Sequence, residues 1–84
     1  MFKVKVYVTL KQDVLDPQGQ AVRGALLTLG YDETESVRIG KYIEIMINTE
    51  QYEVAQERIK EMCEKLLANT VIEEYRYELE EVAV

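Results

Sequence analysis

Apolar and polar residues alternate along Lys3–Leu10, with Val4, Val6, Val8 and Leu10 on one side and Lys3, Lys5, Tyr7 and Thr9 on the other. A period of two marks a strand with one buried face, so the chain is expected to open on a strand. The period then changes. Asp16-Pro17 supplies an N-cap residue followed by proline at the first helical position, and Ala21, Val22, Ala25, Leu26 and Leu29 recur at helical spacing up to Gly30, a C-terminal stop. This predicts a helix over residues 17–29. Ala21, Gly24 and Ala25 form a patch of small side chains on it, read first as tight packing on the chain's own sheet. Gly19 leaves backbone N–H groups uncovered in the first turn, but no phosphate-loop pattern surrounds it, and a plain capped helix is the expectation.

The most strand-like run is Ser36–Ile47. Val37 and Ile39 flank Arg38, then Ile43, Ile45 and Ile47 alternate with Glu44 and Met46, with Gly40 as the break. The run predicts a β-hairpin in one of two registers. A two-residue Gly-Lys turn puts Val37 and Ile39 on the opposite face from the three isoleucines, because a slip of one residue flips a whole face. An odd connection or a bulge at Gly40, using positive φ, keeps all five aliphatics together.

Beyond Ile47, Asn48 or Thr49 can cap a second helix. Tyr52, Ala55, Ile59, Met62, Cys63, Leu66 and Leu67 give it an apolar stripe to about Ala68, and Asn69 is a plausible left-handed stop. From Val71 to about Val82, Tyr75, Tyr77 and Leu79 alternate with Glu74, Arg76, Glu78 and Glu80, a fourth strand that fades at Glu80 and Glu81. The order β-α-β-β-α-β predicts an α+β fold, a ferredoxin-like two-layer sandwich with two helices on one face of a four-stranded sheet. The other face would show Tyr7, Tyr42 and Met46 among charges, a mixture suited to a protein interface.

Composition narrows the function. The chain has 84 residues, a formal net charge of -6, one Cys and no His. Residues 1–84 leave room for one domain, which buries roughly 60 to 65% of its unfolded surface, so oligomerisation is expected to add to stability. The acidic balance argues against nucleic acid, which is bound through Lys and Arg. Without imidazole there is no His–Cys metal site and no Cys–His dyad, and the one thiol, Cys63, falls on an apolar stripe as a buried structural group. No membrane span and no signal peptide are read, so the expected location is the cytoplasm. Catalytic, cofactor-binding and metal-ligating residues are all expected to be absent. An RNA-binding sheet is disfavoured by the charge and by the lack of an RNP1-like run. An ACT-like small-molecule-binding regulatory module shares the strand order and stands as the alternative.

Four blocks carry a resemblance: Val6-Tyr7-Val8-Thr9-Leu10-Lys11, Val14-Leu15-Asp16-Pro17-Gln18-Gly19, Val37-Arg38-Ile39-Gly40-Lys41-Tyr42-Ile43-Glu44, and the run from Glu61 to Glu73, EMCEKLLANTVIE. The chain resembles PurS, the small subunit of phosphoribosylformylglycinamidine synthase in purine biosynthesis. The resemblance implies a non-catalytic subunit of an ATP-dependent, glutamine-hydrolysing ligase. It would bridge a glutaminase subunit and a large synthetase subunit and assist ammonia transfer between them. ATP and Mg would be used by the synthetase, and the chain would associate with itself as a homodimer or tetramer. On this reading Tyr7, Tyr42 and Met46 are expected in self-association. Asp16, Pro17, Gln18, Arg38, Gly40 and Lys41 are expected in contact with the partner subunits.

Overall fold

A computed structural model of the chain describes residues 1–83, so the last residue of the expected 1–84 domain lies outside the described residues. Strand β1 (Phe2–Leu10) leads through a loop to helix α1 (Pro17–Thr28). Strand β2 (Gly40–Ile47), helix α2 (Tyr52–Met62) with a π-helical turn at Cys63–Leu67, and strand β3 (Glu73–Glu81) follow. The sheet has the order β2-β1-β3 and both pairings are antiparallel.

The alternation seen in the sequence sets the two faces. Val4 pairs with Ile45 and Leu79, Val6 with Ile43 and Tyr77, and Val8 with Lys41 and Tyr75, so valines, isoleucines and tyrosines share one face. Helix α2 lies on that face. Its Ala55 and Ile59, followed by Cys63 and Ala68, join Val4, Val6 and Val8 in the buried core. Phe2 meets Tyr52 edge-on, with ring centroids 5.9 Å apart, where the helix begins.

Three expectations are corrected. First, among the described residues the sheet has three strands, because Ser36–Ile39 does not pair as a strand and no hairpin forms at Gly40. The amide of Ile39 donates instead to Asp16 Oδ2 at 2.8 Å, and Arg38 folds onto carbonyls of the 10–14 segment, so the backbone groups a ladder would use are directed elsewhere. Gly40 is the first residue of β2 and does not take positive φ; a Cβ there would sit 2.4 Å from the Val8 carbonyl oxygen. Second, α1 does not cover its own sheet. Ala21, Val22, Ala25 and Leu29 are exposed, and no residue of α1 belongs to the core or packs against it. The helix extends as an arm, giving the molecule dimensions of 49 × 29 × 14 Å.

Third, Leu66 is 82% exposed whereas Ala68 is buried. The π-helical turn, in which the Ala68 amide reaches back to the Cys63 carbonyl at 3.1 Å, adds a residue to the turn and rotates the stripe by one position. The helix caps differ in detail as well. The N-cap of α2 is Gln51, whose amide donates to Thr49 Oγ1 at 3.2 Å. Asn69 acts as a turn former whose side-chain oxygen accepts from the Val71 amide, without left-handed geometry. Gly30, at φ 98°, terminates α1 as its sequence suggests.

Candidate functional site

The polar residues of the arm converge at its root. Asp16 is 5% exposed, and both of its carboxylate oxygens are used: Oδ1 accepts from the Gly19 amide at 2.9 Å and Oδ2 from the Ile39 amide. The first bond caps α1 and the second ties the incoming end of β2 to the same carboxylate. These two backbone donors, aided by the charge of Arg38, hold the Asp16 carboxyl below its usual range. The guanidinium of Arg38 donates to the carbonyls of Leu10 and Lys11, both at 2.8 Å, and reaches Val14 at 3.4 Å. One planar fork therefore gathers the whole loop between β1 and α1. Gly19 is buried in this clasp because a Cβ there would lie 2.3 Å from the Val37 carbonyl oxygen.

Asp16, Arg38 and Gly40 thus have structural work at the root. Pro17, Gln18 and Lys41 are exposed around them. Gln18, Lys41, Asp16 and Gly40 line one recess of about 250 Å³, and Lys41 Nζ lies 3.6 Å from the Glu73 carboxylate. A larger open groove of about 690 Å³ runs between α1 and the 35–38 segment. Its two guanidiniums already donate to backbone carbonyls, Arg23 to Glu35 at 2.8 Å and Arg38 as described.

The second surface is the sheet face away from α2. Tyr42, Tyr7 and Arg76 stand in one row across the three strands. The tyrosine rings are 5.2 Å apart, and the Arg76 guanidinium carbon sits 3.9 Å over the Tyr7 ring, within cation–π range. Tyr42 donates its hydroxyl to Glu44 at 2.9 Å and Lys3 approaches the same carboxylate at 3.1 Å. Burial and the Glu44 carboxylate push the Tyr42 hydroxyl up to about 12, while the bond from Tyr42 and the charge of Lys3 hold Glu44 low. Tyr42 is 52% and Met46 54% exposed, so the face combines rigid aromatic surface with a charge network. Tyr7 and Tyr42 meet directly; Met46 lies further along β2, opposite Lys3.

Two features escaped sequence reasoning. Glu64 accepts from the Tyr75 hydroxyl at 2.8 Å, which pushes that phenol up to about 12, and the Asn69 amide donates to the Glu73 carboxylate at 2.7 Å. The first joins the π-helical turn to β3 across 11 residues, with no local signal; the second lies within the turn that leads into β3. Burial raises the Cys63 thiol, which suits a structural role. Among the described residues no group of three or more His, Cys, Asp or Glu side chains is placed to hold a metal ion. No helix among them is long and apolar enough to cross a membrane.

Comparison with known proteins gives one answer. The chain is similar to the PurS subunit of phosphoribosylformylglycinamidine synthase of Bacillus subtilis, 61% identical over 82 residues that cover 98% of this chain and 96% of the relative. Its structure is similar to that of Methanocaldococcus jannaschii PurS, with a TM-score of 0.88, 38% identity, and coverage of 99% of this chain and 100% of that one. It is similar as well to a chain of the PurLQS structure from Thermotoga maritima, with a TM-score of 0.86, 33% identity, and coverage of 93% and 95%. Residues 3–81 match the family model described as PurS, phosphoribosylformylglycinamidine (FGAM) synthase. The ACT-like alternative is accordingly not favoured, and the chain belongs to the PurS family.

Proposed function

We propose that this chain serves FGAM synthase as an assembly subunit, bridging a glutaminase and a large synthetase so that ammonia released at one passes to the other. It is a subunit of that glutamine-hydrolysing ligase of purine biosynthesis and carries no catalytic centre of its own. The observation that carries the bridging reading is the similarity to a chain in the PurLQS structure. Free ammonia is lost to water by diffusion and protonation, so a subunit that aligns two sites and excludes water raises yield without touching the chemistry. ATP and Mg belong to the synthetase in this scheme, and the complex works in the cytoplasm.

Partner contact is assigned to the exposed residues around the clasp, Pro17, Gln18 and Lys41, with Asp16, Arg38 and Gly40 holding them in place. Tyr7, Tyr42 and Met46 on the open sheet face are assigned to self-association, within a homodimer or tetramer. Support comes from the exposure of Tyr42 and Met46 and from the pre-ordered aromatic row, since aromatic residues are enriched in protein interfaces. The test is co-elution of this chain with the glutaminase and the synthetase. Lys41→Glu is expected to weaken the ternary peak while circular dichroism stays unchanged. A glutaminase–synthetase complex that co-elutes in full without this chain would refute the bridging role.

A further inference from the structure

We propose that the outer edge of β3 takes up an extended, Lys- or Arg-bearing segment of a partner subunit as an added strand of the sheet. The inference rests on the bridging role proposed above and gives it a second contact, apart from the clasp at the root of α1.

Strand β3 lies at an edge of the sheet and has 9 residues, a length of about 30 Å. Two bonds fix which of its backbone groups are spent: the Lys11 amide donates to the Ile72 carbonyl and the Val82 amide to the Met1 carbonyl, both at 2.9 Å. Backbone groups alternate in direction along an antiparallel ladder, so the even-numbered residues of β3 bond to β1. Glu73, Tyr75, Tyr77, Leu79 and Glu81 turn theirs outward. The Glu73 amide is taken by the Asn69 carbonyl at 2.7 Å, whereas the amides of Tyr75, Tyr77 and Leu79 have no partner among the described residues. Such a row is a template for another strand.

Charge decides what that strand can be. The sequence of β3 holds five glutamates and one arginine. Glu53 and Glu57 of α2 stand beside it, in an open groove of about 400 Å³ completed by Gln56, Lys60, Tyr75 and Tyr77. Ion pairs reach Glu73, Glu78 and Glu80, through Lys41, Arg76 and Lys5, but Glu53, Glu57, Glu74 and Glu81 have none among the described residues. The β2 edge differs, because its charged residues, Lys41 and Glu44, are of opposite sign and both are paired. An antiparallel copy of β3 would set glutamate against glutamate, so this edge is guarded against itself and open to a cationic strand. Arginine suits the α2 side best. The Tyr75 and Tyr77 rings stand 6.3 Å apart and nearly parallel, at 16°, and a guanidinium stacks on aromatic faces while its fork pairs with a carboxylate such as Glu57.

The test is hydrogen exchange resolved to single residues. The amides of Tyr75, Tyr77 and Leu79 are expected to exchange freely in the chain alone, at concentrations where copies associate, and to slow at least tenfold when the glutaminase and the synthetase are added. Glu57→Lys combined with Glu74→Lys should weaken the assembly at least tenfold in low salt and flatten its salt dependence, with circular dichroism unchanged. Because Cys63 is the only cysteine, a synthetic segment from Cys63 onward can be ligated to the rest of the chain. An N-methylated Tyr77 amide introduced in this way removes one outward donor without touching charge, and should weaken the assembly too. Outward amides already protected in the chain alone would give the edge to a second copy, and a complex that forms while they still exchange freely would leave it unoccupied. Either result, or an assembly indifferent to the double charge reversal, overturns the added strand and leaves the bridging role standing. If no complex containing this chain forms, both fall.

Discussion

Replacing Gly19 by alanine should open the root of the arm, whereas the same change at Gly24, five residues along the same helix, should strengthen it. At Gly19 the new Cβ would sit 2.3 Å from the Val37 carbonyl oxygen and 2.6 Å from Asp16 Oδ2. Neither neighbour can yield freely: the first is backbone, and the second is pinned by the Gly19 and Ile39 amides. Overpacking of this kind costs about 1 to 3 kcal/mol, and the intrinsic helix preference of Ala over Gly returns at most ~1 kcal/mol. At Gly24 a Cβ meets nothing within 4 Å, so only the helix preference acts and the gain is up to ~1 kcal/mol. Because the helix preference acts at both sites, the two variants should differ by the overpacking cost alone, roughly 1 to 3 kcal/mol in urea denaturation. The comparison is made at several protein concentrations, because association adds to apparent stability. Hydrogen exchange at the Ile39 amide should accelerate in the Gly19 variant alone. Equal stability of the two proteins, or a protected Ile39 amide in the Gly19 variant, would show that the clasp does not hold the arm.

Three further outcomes follow from the same geometry. Ile59→Ala, at a fully buried position between α2 and β1, should cost about 2 to 5 kcal/mol in the same denaturation assay, and a loss below 1 kcal/mol would mean that the core collapses around the site. Arg38→Lys keeps the charge but not the fork, so it should loosen the loop before α1 and raise proteolysis between residues 11 and 16; wild-type resistance would show that charge alone suffices. The Asp16 carboxyl titrates below its ordinary value of 3.8 in the folded chain, so its stabilising contribution is complete above that value and is lost as pH falls through the folded pKa. Ile39 amide protection should fall in that acid window for the wild type, and Asp16→Asn should remove this dependence.

The first strand was legible because Val4, Val6 and Val8 are in the centre of the sheet, where a period of two maps directly onto burial. The hairpin was misread because Val37–Ile39 alternates just as well, while the groups that divert it, Asp16 and Arg38, act across more than 20 residues. Helix α1 was recognised through its cap, its stripe and Gly30, yet an apolar stripe states only that something covers it, not whether that cover is the same chain. The shift from Leu66 to Ala68 depends on one extra residue in a π-helical turn, which a fixed 3.6 period does not represent. At the site, Asp16 was readable as an N-cap; its second bond, which makes it the centre of the clasp, arises from tertiary structure alone.

The most direct test of the bridging account is the reconstituted synthase, with FGAM formation driven in parallel by glutamine and by added ammonium. The account predicts that omitting this chain abolishes or sharply reduces the glutamine-driven rate while ammonia-driven turnover by the synthetase persists. Equal glutamine-driven rates with and without the chain would contradict it.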